Sequence, residues 1–234
     1  MFERPHHQRI AHVLAALEGE RLRQHGCSFG GGTCIALRFG EYRESVDMDF
    51  LVSDVAGYRE LRHMLTGPEG LAPLVRAGTE GLGLAKDVRA DQYGIRTAVI
   101  MDGEVIKFEI VREARIELQP PGSLDVIAGV PTLTVMDLAT SKLLANSDRQ
   151  ADDGVFGRDL IDLAMMNLPL TVLRSAMDKA SQPYGASVAR DLAKAIERMQ
   201  DRHGWLERCM QAMAMTIPKA LLWQRIHRLR RLLR

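Results

Sequence analysis

Apolar residues Ile10, Val13, Leu14 and Leu17 recur at helical spacing between His6 and His25, and the run stops near Gly26. This predicts one amphipathic helix whose stripe packs on the next segments of the chain. Cys27–Phe29 then reads as a short buried strand entering a glycine turn, Thr33–Phe39 as a short helix, and Val46–Val52 as a strand. Asp54 to about Leu65 predicts a helix capped by Ser53 or Asp54 and stopped at Gly67-Pro68. Alternating residues come next in Leu82–Ala90, Gly94–Met101, Glu104–Val111 and Arg115–Leu118, with Asp102-Gly103 as a hairpin turn between the second and third. Composition shifts around Pro120-Pro121-Gly122, and beyond Pro131 the strand signals give way to helices. The first of these opens at Thr134, with Asp137 as its acidic partner, and runs to about Asn146. Further helices are predicted over Gly157–Met166, Thr171–Ser181, Ser187–His203, Trp205–Met215 and Pro218–Arg234. The fold class is therefore α/β (α+β), with a mixed sheet in a first domain, residues 1–130, and an all-helical second domain, residues 131–234.

The alternation also sorts the charged positions. On a strand, Ser45, Asp47 and Asp49 share one face, and Val46, Met48 and Phe50 point the other way into a core. Two like charges side by side repel, and a hard divalent cation with oxygen ligands relieves that best. Upstream, Gly30, Gly31 and Gly32 lack a β-carbon, so their N–H groups can approach a phosphate just before a helix N-terminus. In the third alternating segment Ile106, Phe108 and Ile110 form the core set, which leaves Val105, Lys107, Glu109 and Val111 on the opposite face. Glu109 faces either water or, if its strand neighbours the aspartates, a metal site that it completes.

Length and charge exclude little beyond this. With 234 residues, 46% of them hydrophobic, and a formal net charge of +1, the chain supports an ordinary core and gives no global electrostatic case for nucleic acid. Three cysteines, Cys27, Cys34 and Cys209, have no paired spacing, which argues against a disulfide framework or zinc site and for a reducing compartment. The N-terminus lacks the apolar run of a signal peptide or membrane span. The expectation is a soluble cytoplasmic protein.

The Gly-Gly turn, the Asp-x-Asp strand and a later single acid resemble the polymerase-β-type nucleotidyltransferase superfamily. Within it, GGTCIALRFGEYRESVDMDF resembles the opening motif of the AbiEii/AbiGii toxin-like nucleotidyltransferases. PTLTVMDLATSKLLANSDR and GRDLIDLAMM are similar to that family's lysine-bearing helix and its Arg-Asp-x-x-Asp helix. The resemblance covers roughly residues 29–166. It implies transfer of a nucleoside monophosphate from an NTP to a hydroxyl acceptor, with Mg²⁺ or Mn²⁺ held by Asp47, Asp49 and Glu109. It further implies a toxin of a toxin–antitoxin or phage-defence system, with a cognate antitoxin as partner, tRNA or another RNA as acceptor, and an active site in a cleft closed by the helical domain.

The remaining candidates carry two readings each. Gly31 and Gly32 would cradle phosphate; Thr33 would cap its helix or bind phosphate; Ser45 would bind a phosphate oxygen or simply face solvent. Arg43 suits a phosphate or a carboxylate. Lys142 is a lysine at the edge of a buried stripe or, by resemblance, a triphosphate contact. Arg158 and Asp162 stand four apart and would pair at the surface, whereas the resemblance puts Asp159 or Asp162 beside Lys142 or the nucleotide. Methionines 165, 166, 210, 213 and 215 read as core, and His6, His7, His12 and His25 show no ligand pattern. The tail combines Lys219, Arg225, Arg228, Arg230, Arg231 and Arg234 with a leucine-rich stripe, which suits docking on the domain, on RNA, on a partner or, last, on a membrane surface. Two rival functions remain: a nucleotide-binding regulatory module without catalysis, and an antibiotic-type nucleotidyl- or phosphotransferase on the same scaffold.

Overall fold

The computed structural model describes residues 2–233; Arg234, one of the tail cations, lies outside them. By compactness the chain divides into two units, Met1–Cys34 with Ser45–Thr134, and Ile35–Glu44 with Val135–Arg234.

The first unit carries, in chain order, α1 (Pro5–Ala16), α2 (Gly19–Gln24), β1 (Ser28–Phe29), the start of α3 (Gly31–Arg38), β2 (Met48–Val52), α4 (Val55–Leu65), β3 (Gly83–Ala90), β4 (Gly94–Met101), β5 (Glu104–Arg112), β6 (Val126–Ile127) and β7 (Val130–Pro131). Five strands form a mixed sheet in the order β1-β2-β5-β4-β3. Within it only β2 and β5 pair in parallel; the other neighbours are antiparallel. The Asp102-Gly103 turn behaves as its sequence predicts, with both residues at positive φ and Met101 facing Glu104 across β4 and β5. Rings of Phe29, Phe50 and Phe108 run across β1, β2 and β5 with centroids 5.3 and 5.0 Å apart, so one sheet face is fixed as core.

Three expectations change here, and one element is added. The helix predicted over His6–His25 is two helices, because the chain turns extended at Leu17, which bridges to Val75 while Glu18 donates its N–H to the Leu74 carbonyl. β2 starts at Met48, not Val46; Val46 is 47% exposed and its carbonyl is bonded to the His6 ring. Arg115–Leu118 is not a strand: the Arg115 N–H donates to the Glu113 carboxylate and the Leu118 N–H to the Ser53 hydroxyl, so side chains take the place of a neighbouring ladder. The β6–β7 hairpin was not anticipated. Its turn, Ala128-Gly129, has positive φ at both residues, the geometry of a tight two-residue hairpin.

The second unit contains α5 (Val135–Arg149), α6 (Arg158–Met165), α7 (Leu170–Tyr184), α8 (Ser187–Asp201), α9 (Trp205–Ala212), α10 (Lys219–Leu229) and a closing 3₁₀ turn, Arg230–Leu233. These are the expected helices with shifted ends. Met165, Met166 and Met213 are buried, as a core role requires, whereas Met210 and Met215 are only half-buried. Asp137, expected beside the N-terminus of α5, is fully buried and ion-paired with Lys179 of α7 at 2.5 Å. Among the described residues no helix is long and apolar enough to cross a membrane.

Candidate active site

In the first unit the parallel register pairs Asp49 with Glu109, so the two carboxylates sit on adjacent strands of one sheet, about 4.8 Å apart between strand axes. The neighbour relation on which the role of Glu109 depends is therefore present. Glu109 is held by two cations, Lys107 at 2.7 Å and Arg96 at 3.3 Å. Arg96 reaches it from the register-paired position on β4. Burial pushes the Lys107 ammonium down, but its bond to Glu109 and the fields of Asp47 and Asp49 outweigh this and hold it above the ordinary lysine value. One side-chain cation thus sits in the combined field of the three predicted carboxylates.

The turn that faces them is shaped by a glycine. Gly31 has φ +66°, and a β-carbon there would lie 2.5 Å from Asp49 Oδ2. Only glycine gives both the left-handed backbone and the room for that carboxylate. The Gly30 N–H donates to the Asp49 carbonyl at 2.8 Å, which stitches the turn to β2. Thr33, which was expected to cap its helix or meet phosphate, is buried and donates instead to the Asp47 carbonyl at 2.5 Å, and it shares a 2.7 Å bond with Ser45. Ser45 and Asp47 precede β2 rather than lying within it.

Two histidines with no predicted role brace this same segment. The Ser45 N–H donates to His7 Nε2 at 3.1 Å, and His6 Nε2 lies 3.1 Å from the Val46 carbonyl. His7 is fully buried on α1. A donor N–H fixes its Nε2 as the unprotonated ring nitrogen. The available signal was weak, since two adjacent histidines in the first turns of a helix carry no spacing that points forty residues ahead.

In the second unit a buried ionic network gathers four of the candidate residues with Tyr42 and Arg149. Arg43 binds Asp162 through two bonds of 2.7 and 3.0 Å, and the Tyr42 hydroxyl adds a third at 2.6 Å. Lys142 bridges Asp162 at 2.7 Å and Asp159 at 3.0 Å. Arg149 closes the far side with bonds of 2.6 and 2.9 Å to Asp159. Lys142 is only 7% exposed, so it is enclosed rather than reaching for water. Burial alone would raise the pKa of Asp162 and lower that of Lys142; Arg43 and Lys142 reverse the first, and Asp162 and Asp159 reverse the second against the opposing charge of Arg43. Asp159 is likewise held below the usual carboxylate range against its burial, by Lys142 and Arg149. Three cations face two carboxylates.

Arg158 stands apart from this network. Its guanidinium donates to the Val155 carbonyl at 3.3 Å, and the surface pair expected between Arg158 and Asp162 is replaced by the buried bonds of Asp162 to Arg43 and Lys142. A cavity of about 850 Å³ in the first unit, lined by His25, Ser53, Arg112, Glu113 and Arg115 among others, lies past the C-terminal ends of β2 and β5 and contains none of the candidate site residues.

The family model for the nucleotidyl transferase AbiEii toxin of type IV toxin–antitoxin systems matches residues 13–225. The chain belongs to the AbiEii family. The match extends the resemblance at both ends, to α1 and into α10. No curated protein matches significantly. Two solved structures share the AbiEii chain's fold. JHP933 from Helicobacter pylori aligns at 14% identity and TM-score 0.54, covering 100% of this chain and 95% of that one. A Helicobacter pylori protein provisionally described as a nucleotidyltransferase aligns at 15% identity and TM-score 0.52, covering 97% and 94%. The AbiEii assignment makes the chain a nucleotidyltransferase-family protein with a mixed sheet and a helical C-terminal part.

Proposed function

We propose that the chain transfers a nucleoside monophosphate from an NTP to the hydroxyl of an RNA acceptor, tRNA being one candidate, and that it does so in the cytoplasm as the toxin of a system with a cognate antitoxin. The observation that carries the chemistry is the register pairing of Asp49 with Glu109, beside Asp47, around the Lys107 ammonium.

Mg²⁺ or Mn²⁺ fits the donor set: three carboxylates offer hard oxygens, and their fields already converge on one cation. Among the described residues no three such side chains stand ready at ligand spacing, so Glu109 must exchange Lys107 and Arg96 for the ion. When bound, the ion neutralises the triphosphate and the leaving pyrophosphate. Asp47 and Asp49 would hold it. Glu109 would help hold it and take the proton of the attacking hydroxyl, whose oxygen bonds to the α-phosphorus as the bond to pyrophosphate breaks. The N–H groups of Gly31 and Gly32 would meet the phosphates at the start of α3, with the Thr33 and Ser45 hydroxyls behind them.

In the helical unit, Arg158 remains the candidate for nucleotide contact, and Lys142, enclosed and bound to Asp159 and Asp162, could meet a phosphate only by giving up those bonds. Arg43, Asp159 and Asp162 serve this reading as positioning residues within that unit: their charges are taken up by one another, by Lys142 and by Arg149.

Incubation of the protein with labelled NTPs, Mg²⁺ or Mn²⁺ and total RNA should label RNA, and Asp47→Ala and Asp49→Ala should abolish it. Equal labelling by all three proteins would end the proposal. One observation favours a second reading, nucleotide binding without turnover: Glu109 is already held by two cations. Metal-dependent NTP binding with no product from any hydroxyl acceptor would select it.

A further inference from the structure

The helix α10 and the 3₁₀ turn after it form a concave surface of about 630 Å³ lined by Arg225, His227, Arg228, Arg230 and Arg231, with no acidic residue among the described lining. Like charges gathered in one concavity repel, as the paired aspartates do, and their described bonds go to neutral groups. Arg225 donates to the Met165 carbonyl, Arg228 to the Asn167 side-chain oxygen and the Leu168 carbonyl, and Arg230 to the Gln200 amide oxygen. Neutral acceptors orient a guanidinium without cancelling its charge. Further donors of these forks can then serve an anion.

Three further features identify that anion. The apolar stripe of α10, Leu222, Ile226 and Leu229, is buried within the helical unit, where α10 packs on α6. A membrane surface would need that stripe, so the helix is not free to lie in one. Of the two rings one turn apart on α10, Trp223 and His227 with centroids 5.9 Å apart, His227 lines the basic concavity, and a ring face in such a groove suits an unpaired base. Asn167 and Gln224 add amides to the lining, groups able to bond a ribose hydroxyl.

We infer that this surface binds the phosphodiester backbone of single-stranded RNA, with Arg225, Arg228, Arg230 and Arg231 on successive phosphates and His227 against a base. In naming the acceptor class the inference rests on the proposed transfer reaction; as a binding surface it does not.

The test is equilibrium binding of a fluorescein-labelled single-stranded RNA to the full chain, by anisotropy, with no NTP present. That separates its failure from failure of the transfer reaction. The triple variant Arg225→Gln/Arg228→Gln/Arg231→Gln should bind about tenfold or more weakly. Its log affinity against log salt should be shallower by roughly 2, at about 0.7 for each phosphate no longer neutralised. The corresponding triple lysine variant should recover most of the slope, and the exposed Arg231→Gln alone should show a smaller loss with an unchanged melting curve, which separates charge from folding. DNA of the same sequence should bind more weakly, and inorganic triphosphate should compete. Unchanged affinity and slope in the triple glutamine variant, RNA binding indifferent to saturating triphosphate, equal binding of DNA, or binding to anionic phospholipid vesicles in preference to RNA would each overturn the assignment.

Discussion

Asp49 and Glu109 are register partners on the one parallel strand pair in the sheet, and Glu109 is ion-paired at 2.7 Å with the ammonium of Lys107, two residues along the same strand, which also feels the fields of Asp47 and Asp49. The arrangement holds a positive charge where a metal-dependent transferase needs one, and the charge it holds is replaceable.

Replacing Lys107 by Met should therefore have opposite effects with and without divalent ion. Without it, three carboxylates lose a shared counter-charge, and stability should fall on the order of 0.5 kcal/mol, the scale of a partly exposed pair. With Mg²⁺ or Mn²⁺, the rise in melting temperature should exceed that of the wild type, because the ion no longer competes with Lys107. Differential scanning fluorimetry across a metal titration measures both. Equal metal-induced shifts would remove Lys107 from the site.

Glu109→Gln keeps the size of the side chain and removes its charge and its capacity to take a proton. Labelling of acceptor should fall at least about a hundredfold, the usual scale for losing a positioned acid or base, with the fold unchanged by circular dichroism. Activity within a few-fold of wild type would assign the third-acid role elsewhere.

Gly31→Ala should uncouple turn and strand. The added methyl meets Asp49 Oδ2 and the backbone must keep φ +66°, so about 1–3 kcal/mol of stability should be lost, together with NTP binding. The same change at Gly26, also at positive φ but with nothing near its β-carbon, should cost stability alone. Comparing the two by urea unfolding and by nucleotide binding isolates the role of the carboxylate clash.

What the sequence made legible was local. Alternation in Glu104–Val111 and the Asp102-Gly103 turn needed only neighbours along the chain, and both are present as expected. Val46 was misplaced because period-2 alternation cannot tell where a strand begins; the bond from His6 holds Val46 outside the ladder. The break at Leu17 was hidden because its apolar side chain continues the stripe of α1 while its backbone pairs with Val75. The partner of Asp162 was illegible for a different reason. Arg43 lies 119 residues away, and only the fold selects it over the helical neighbour Arg158, which i,i+4 spacing favoured. The residue types at the candidate site could be read, but their mutual commitments could not.

His7→Ala should loosen the segment that leads into Asp47. It removes the acceptor of the Ser45 N–H and empties a fully buried position, so a loss of about 1–3 kcal/mol is expected. Amide exchange should accelerate at Ser45 more than in the strands of the sheet. Unchanged protection at Ser45 would show that His7 only fills space.

The buried network predicts a specific pH response of the helical unit. Asp159 and Asp162 have folded-state pKa values below the ordinary carboxylate value of about 3.9. Their contribution is therefore fully present above that value and is lost only as pH falls through the lower folded values. Lys142 has a raised value, so its contribution is complete below about 10.4 and is lost as pH rises through the folded value. Stability should thus be flat through neutral pH as far as these groups are concerned, with an acid limb below about 3.9. Asp162→Asn removes one carboxylate while Arg43 and Lys142 stay buried, and should cost about 3–5 kcal/mol near neutrality. It should also make the acid limb shallower, since one of the two carboxylates that titrate there is gone. Urea unfolding of wild type and variant across the pH range, followed by far-ultraviolet circular dichroism, distinguishes this from a volume effect. A variant with the wild-type acid limb would show that the network does not set it.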